Sequence, residues 1–312
     1  MSRYNFTIGE KLLNRYRIIE HIGKGSYGDV FKTDDDENQI ESAIKIYKSG
    51  EKYKKSVEEE ITILVELNKK MTESKEYITV LISTFSILDH FCSNLKLYGL
   101  NLYQYWKYNY DSIDINLIET IFNDSLEGLS FIHKNKIIHA DIKPENILFK
   151  QNTTEIVICD FSLSQRLTGK LKNYKYEIQS IWYRAPEISL KIDYNNSIDI
   201  FSLGTILYEL LFNEPLFKCK TNHELLLKMT EFLGNPPIEL INSDSTWLTY
   251  FSSRGDILNN RDKKGRIYFP SSKHINYKYL LKKYSYENEN KIYQLTNRMA
   301  ICLEWDFKKR LD

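Results

Sequence analysis

One run of residues constrains this chain more than any other: Ile137-Ile-His139-Ala140-Asp141-Ile-Lys143-Pro-Glu145-Asn146-Ile-Leu148. It sets a carboxylate, an ammonium and a carboxamide at fixed spacing. Asp141 can take a proton from an attacking hydroxyl, Lys143 can neutralise a moving phosphoryl group, and Asn146 offers an oxygen to a divalent cation. Downstream, Val157-Ile-Cys159-Asp160-Phe161-Ser162 reads as an apolar strand ending in a carboxylate, which suits chelation of Mg²⁺.

Upstream stands Gly23-Lys-Gly25-Ser-Tyr-Gly28-Asp-Val30, whose glycines let backbone amides approach phosphate without a Cβ in the way. Taken alone, this pattern is most simply a β-turn. A strand follows it, whereas a dinucleotide-binding turn would open a helix. Ala43-Ile44-Lys45 lies on the next strand, followed by a helix carrying Glu58, Glu59 and Glu60. Glu60 falls on the apolar side of that helix, where a carboxylate needs a cation, and Lys45 is the candidate. Trp182-Tyr-Arg184-Ala185-Pro186-Glu187 closes the later segment. Glu187 is expected to pair with Arg310, and Asp199 to brace the Asp141 loop through its backbone. These three are read as structural support.

A chain of 312 residues suggests two domains or one bilobed unit at roughly 100–200 residues per domain. The 42% apolar share supports a real core, and a net charge of +1 excludes a protein built to coat nucleic acid. Cys92, Cys159, Cys219 and Cys302 form no CxxC pair, so neither a zinc site nor a disulfide framework is expected. The start MSRYNFTIGEKLL lacks the apolar stretch of a signal peptide, and no run reaches ~18 apolar residues. An intracellular protein, cytoplasmic or nuclear, without membrane or nucleic-acid contacts and acting as a monomer, is expected.

Periodicity predicts strands over 16–23, 28–33, 40–47, 78–88 and 90–98, with a turn at 34–38 and one helix between 50 and 70. On that helix Val57, Ile61, Leu64 and Val65 mark the apolar face. Helices are predicted over 102–110, 115–134, 198–212, 223–232 and 291–303. A small β-rich lobe (about residues 1–98) therefore precedes a larger helical one (about 102–312), with a hinge at about 96–101. The fold class is α+β, and the cleft between lobes is the expected place for a ligand.

The motifs together resemble the eukaryotic protein kinase family. GxGxxGxV, AIK, HxDxKxxN, a DFG-like triplet and APE occur in the family's order from Gly23 to Arg310. The resemblance implies ATP and Mg²⁺ as cofactors and Ser/Thr hydroxyls of proteins as substrates. It gives Lys45 the α- and β-phosphates and a pairing with Glu60, and gives Asn146 and Asp160 the metal. Asp141 and Lys143 would act at the transferring phosphoryl group. Ile22, Gly23, Gly25, Gly28, Val30, Ala43, Leu95, Leu97 and Leu148 would bind the nucleotide. Among these, Leu95 would be the gatekeeper and Val30, Ala43 and Leu148 would enclose adenine. Within the family the chain is most similar to the CMGC group, first the SR-protein kinases, then their DYRK and LAMMER-type relatives. Lys45-Ile-Tyr-Lys-Ser-Gly-Glu-Lys-Tyr, the Asp141 loop, Tyr176-Glu177-Ile178-Gln179-Ser180 and Tyr250-Phe-Ser-Ser-Arg-Gly-Asp256 carry the SR-protein kinase likeness, whereas Leu100-Asn-Leu-Tyr103 looks more like DYRK.

Three departures matter. Ala140 replaces the Arg of HRD, which removes one receptor for an activation-loop phosphate. Glu177 stands where DYRK-type kinases carry an autophosphorylated tyrosine, so activity without such phosphorylation is expected. Ser162 replaces the glycine of DFG, which is expected to reduce the mobility of Phe161. Ile181 replaces an Arg that shapes the pocket beyond the phosphoacceptor. Glu145 is acidic beside the site and favours a basic residue near the target, as SR-protein substrates would supply. Residues 253–273 are net basic, which fits poorly with an acidic docking groove. A dual-specificity kinase of DYRK type is one alternative. A pseudokinase that uses the same fold for binding is the other; Ala140, Ser162 and Ile181 support it, while Lys45, Glu60, Asp141, Asn146 and Asp160 oppose it.

Overall fold

The computed structural model describes residues 3–72, 75–109, 113–167, 178–258 and 275–311. It divides into two compact units, Met1–Asn101 with Ile147–Ser164, and Leu102–Asn146 with Gln165–Asp312.

The first unit is built on a six-stranded antiparallel sheet of order β1-β2-β3-β4-β6-β5. Its strands are β1 (Lys11–Leu12), β2 (Tyr16–Lys24), β3 (Gly28–Asp35), β4 (Ile40–Tyr47), β5 (Leu81–Ile87) and β6 (His90–Lys96). Alternation along β4 sends Ile44 and Ile46 to one face, where they join Leu12, Tyr16, Ile18, Phe31 and Cys92 in a buried cluster. Ala43, Lys45 and Tyr47 therefore share the other face. Strand β3 runs through Asp35, beyond the predicted turn residue Asp34, because that carboxylate is fully buried and accepts from Arg15 Nε and Nη2, both at 2.7 Å.

Helix α1 (Glu51–Lys70) buries Val57, Glu60, Ile63, Leu64 and Leu67. The helix stands where the periodicity put it, but Ile63 and Leu67 take the inner positions that Ile61 and Val65 were expected to hold. Glu60 is on the same stripe.

The hairpin of β8 (Ile147–Phe149) and β9 (Ile156–Ile158) groups with the first unit, whereas the sequence reading placed it in the second lobe. Its hydrogen bonds give the reason: Gly99 N–H donates to Phe149 O, Phe149 N–H to Leu100 O, Thr79 N–H to Ile158 O and Ile158 N–H to Tyr77 O.

The second unit is mainly helical, which makes the chain α+β. It contains α2 (Leu102–Tyr108), α3 (Ile115–Lys134), α4 (Pro186–Leu190), α5 (Ser197–Phe212), α6 (Asn222–Leu233), α7 (Ile238–Ser243), α8 (Tyr277–Tyr284) and α9 (Glu289–Cys302), with a short pairing of β7 (Ile137–Ile138) and β10 (Gln165–Arg166). Helix α5 is buried nearly all round, as its continuous apolar sequence requires, and packs against α3 and α9. Gly204 makes the close approach to α9 possible, since a Cβ there would lie 2.6 Å from Cys302 Cβ. No helix among the described residues is long and apolar enough to cross a membrane.

Glu187 and Arg310 form a buried bidentate pair, with Nη1–Oε1 at 2.5 Å and Nη2–Oε2 at 2.9 Å. Arg310 also donates to the carbonyls of Ser197 and Glu304. Removing one partner strands a buried charge, so Arg310→Met should lower the stability measured by urea denaturation by roughly 3–5 kcal/mol. Changing Glu187 to Met in the same chain should return part of that loss.

Candidate active site

In the first unit the residues expected at the nucleotide lie on neighbouring strands. Gly23 pairs with Val30, Val30 with Lys45, and Ala43 with Leu95. Ile22 is exposed near the end of β2, while Ala43 is buried and Val30, Leu95, Leu97 and Leu148 are half-buried. Leu148 bridges to Asn101, and Leu97 O accepts from Gln151. Gly25 N–H donates to Gly28 O at 2.8 Å, which closes the glycine-rich turn. Gly28 admits no side chain, because a Cβ there would lie 2.3 Å from Ile46 O.

Lys45 Nζ lies 2.6 Å from Glu60 Oε1 and 2.8 Å from Asp160 Oδ1. Burial opposes charge on Lys45, but the carboxylates of Asp160 and Glu60 hold its pKa well above the usual lysine value. Burial pushes Glu60 upward in spite of Lys45 beside it. The Asp160 side chain is about one-third exposed (34%), which leaves carboxylate surface for a ligand.

Asp160 itself adopts φ 64°, in the left-handed region, while Ser162 is not among the residues with positive φ. The glycine of the DFG pattern is therefore replaced where a Cβ brings no backbone strain. Phe161 is buried.

In the second unit the Asp141 loop is fixed largely through its backbone. Asp199 is fully buried and accepts from His139 N–H and Ala140 N–H, both at 2.8 Å, and from His133 Nε2 at 2.9 Å. Ala140 is held at φ 63°, a conformation that costs about 1–2 kcal/mol in an L-residue. Its carbonyl accepts from Gln179 N–H at 2.9 Å. Asp141 then receives Lys143 Nζ at 2.6 Å, Ser180 Oγ at 2.9 Å, Ser180 N–H at 3.2 Å and Asn146 Nδ2 at 3.3 Å. Asn146 Nδ2 also donates to Asp141 O at 2.9 Å, so its Oδ1 remains the acceptor for a cation.

Among the described residues, no group of three His, Cys, Asp or Glu side chains forms a metal cage. Asp160 in the first unit and Asn146 in the second each offer an oxygen of the kind Mg²⁺ takes, an ion that keeps several waters and takes substrate phosphate oxygens in place of protein ligands.

Several residues escaped the sequence reading. Ser180 and Gln179 are marked in the sequence only by the likeness of 176–180 to SR-protein kinases and carry no charge themselves, yet Ser180 touches both Asp141 and Lys143, at 2.9 and 3.3 Å. Gln179 binds Ile198 O, Ser202 Oγ and Ala185 N–H. Tyr47 follows Lys45 by two positions on the same strand face. Its ring centroid lies 5.0 Å from Lys45 Nζ, its hydroxyl lies 3.2 Å from Ser93 Oγ, and Tyr47 counters the upward push of burial on the Glu60 carboxyl. The alternation of β4 was the signal that could have found it. Glu177 and residues 259–274, which include most of the basic stretch, lie outside the described residues.

Comparison with known proteins agrees with this geometry. The family described as Protein kinase domain matches residues 16–311. Dual specificity tyrosine-phosphorylation-regulated kinase 2 of Drosophila melanogaster is 34% identical, over 99% of this chain and 42% of its own length. Dual specificity tyrosine-phosphorylation-regulated kinase 4 of Homo sapiens is 34% identical, over 87% of this chain and 52% of its own. Serine/threonine-protein kinase ppk5 of Schizosaccharomyces pombe is 32% identical, over 99% of this chain and 36% of its own. The chain thus spans about half or less of the length of these relatives.

It belongs to the protein kinase domain family, and its homologues include kinases of the DYRK type, in the CMGC group. Leu100-Asn-Leu-Tyr103 carried that signal in the sequence; the nearness to SR-protein kinases expected from the other stretches has no counterpart in these relatives.

Tyr47 supplies a prediction. Tyr47→Phe removes a hydroxyl that counters the upward push of burial on Glu60, so the Glu60 carboxyl should rise further and protonate at higher pH. MgATP affinity, measured by calorimetry between pH 5.5 and 8, should weaken by roughly three- to tenfold, most strongly at the acid end.

Proposed function

We propose that the chain is an active protein kinase that transfers the γ-phosphate of MgATP to serine and threonine hydroxyls. The observation that carries this reading is the Lys45 ammonium held between Glu60 and Asp160, an arrangement that a binding-only module would not need.

Lys45 contacts the α- and β-phosphates, and Glu60 fixes where its ammonium stands. The amides of the glycine-rich turn meet the phosphates, while Val30, Ala43, Leu95, Leu97 and Leu148 enclose the base. Asp160 and Asn146 are the residues that would hold Mg²⁺, which when bound offsets charge on the phosphates. Asp141 orients the attacking hydroxyl and takes its proton at a carboxylate oxygen. Lys143 spreads the charge that builds on the transferring group. Ser180 and Lys143 hold the plane of the Asp141 carboxylate, so the incoming hydroxyl bonds by replacing one of the Ser180 donors.

Acceptor type is part of the proposal. The names of the relatives include both dual-specificity and serine/threonine kinases. Lys143, two positions after the base, supports serine and threonine, and Glu177 removes the tyrosine that DYRK-type kinases autophosphorylate.

A basic residue near the target is supported by Glu145 together with Glu209 on α5. Glu209 accepts from Tyr183 Oη at 2.8 Å and lines a pocket with Tyr103, Trp106 and Pro144. The pocket has room for about one water molecule and Glu209 is 4% exposed, so an arginine guanidinium would reach this carboxylate only once Tyr103 and Trp106 shift aside. Burial pushes the Glu209 carboxyl up to about 7, against the Tyr183 hydrogen bond and with the help of the Glu145 charge. Glu209 should therefore ionise as pH rises through about 7. The KM for an arginine-containing peptide should fall from pH 6 to pH 8 in the native chain and stay flat in Glu209→Gln.

Incubation with γ-labelled MgATP and a basic protein, followed by phosphoamino acid analysis, tests the main reading. Label should appear on serine and threonine and drop by roughly 10²-fold or more in Asp141→Asn. No label from the native chain, or equal label from Asp141→Asn, would establish the pseudokinase instead.

A further inference from the structure

The four carbonyls at the tip of the glycine-rich turn are each held by a donor. Gly25 O accepts from Arg3 Nη2 at 2.8 Å, and Ser26 O from Lys48 Nζ at 2.5 Å. Tyr27 O accepts from Lys48 N–H at 2.8 Å, and Gly28 O from Gly25 N–H at 2.8 Å, with Arg3 Nη1 at 3.4 Å. Arg3 Nη1 also donates to Asp29 Oδ2 at 2.6 Å. Asp29 is only 5% exposed, so its charge needs cations or donors around it. Its other oxygen meets His21 Nε2 at 3.1 Å.

The segment that carries Arg3 is anchored on the sheet. Phe6 stacks on His21 with ring centroids 5.4 Å apart and packs against Phe31 at 4.5 Å. Tyr4 sets its edge on His90 at 5.5 Å and donates to Glu10.

We propose that Arg3 is a positioning residue for the phosphate-binding turn, fixing Gly25 to Asp29 in their nucleotide-ready geometry before ATP arrives. The inference rests on the nucleotide-site reading above. Glycine-rich backbone loses much freedom when ordered. External bonds that order it in the free protein remove that loss from the binding step. The Gly25 and Ser26 carbonyls are turned to the Arg3 and Lys48 side chains, and those of Tyr27 and Gly28 to backbone amides, so their negative ends are met by donors of this chain and not by the phosphate oxygens. Adenosine, which has no phosphates, gains nothing from this arrangement, and that difference separates positioning from general support of the fold.

The test compares the full chain with Arg3→Ala and Arg3→Lys. Dissociation constants for MgATP and adenosine are measured by calorimetry, amide exchange of residues 23–30 in the nucleotide-free chain by mass spectrometry, and melting temperature alongside. Arg3→Ala should weaken MgATP by about three- to tenfold, leave adenosine affinity unchanged and speed exchange across the turn; the melting temperature should fall because Asp29 loses a cation, so the ratio of the two affinities carries the test. Arg3→Lys keeps the Asp29 ion pair but spans fewer carbonyls and should fall between. Unchanged exchange and unchanged MgATP affinity in Arg3→Ala would overturn the proposal. So would equal losses of MgATP and adenosine, which mark a merely structural role. A native chain that binds neither nucleotide would sink the kinase reading. The exchange result would then decide the Arg3 proposal: faster exchange in Arg3→Ala supports it, and unchanged exchange rejects it.

Discussion

A lysine ammonium taken almost wholly out of water, with one carboxylate on each side, is the constraint around which the first unit is organised. Lys45 stays charged only because Glu60 and Asp160 face it, and Glu60 tolerates burial only because Lys45 is 2.6 Å away. The surrounding elements follow from this. Strand β4 sends Ile44 and Ile46 to the apolar cluster and so delivers Lys45 and Tyr47 to the opposite face. Helix α1 turns a stripe inward that contains one acid among aliphatic residues. The chain leaves β9 and places Asp160 in the left-handed region, where its carboxylate reaches the ammonium. Replacing such a pair by apolar residues is often harmless to stability, so the burial of these charges is not by itself what holds the first unit together.

The second unit solves a different problem, which is to hold a loop still without a cation at position 140. Asp199 takes two backbone amides of the loop and one imidazole, and the Ala140 carbonyl takes the amide of Gln179. These bonds offset the left-handed strain at Ala140 and set the direction in which Asp141 leaves the loop. An arginine at position 140 would have tied the loop to a phosphate; here the backbone and Asp199 hold it directly. Ala140 and Ser162, the departures that argue for a binding-only module, both sit where the structure accommodates them.

Much of this was legible in the sequence because charge and glycine are conspicuous against apolar periodicity. Glu60 declared itself as an acid on an apolar helix face, and the Asp141 run as a string of unlike functional groups. What was not legible lacks such contrast. Ser180 and Gln179 are small neutral polar residues whose telling partners are far away in sequence: 39 positions from Ser180 to Asp141, and 19 and 23 from Gln179 to Ile198 and Ser202. The β8–β9 hairpin reads as belonging to the chain that follows it, but its pairing with residues 77–79 and 99–100 is non-local and leaves no periodic mark. Helices α7 and α8 are short, at 6 and 8 residues, too brief for a 3.6-residue pattern to repeat convincingly. Likeness to one kinase group over another depended on which short stretch was weighted: Leu100-Asn-Leu-Tyr103 pointed to the relatives found, and the stretch after Lys45 did not.

On the proposed function, Lys45, Glu60 and Asp160 need no phosphate on the segment that contains Glu177. The most direct measurement is the initial rate of γ-phosphate transfer by the chain after exhaustive phosphatase treatment, with mass spectrometry verifying that no phosphate remains. The expected rate lies within about twofold of the untreated chain. Loss of turnover on treatment, recovered when the chain is phosphorylated again, would contradict it.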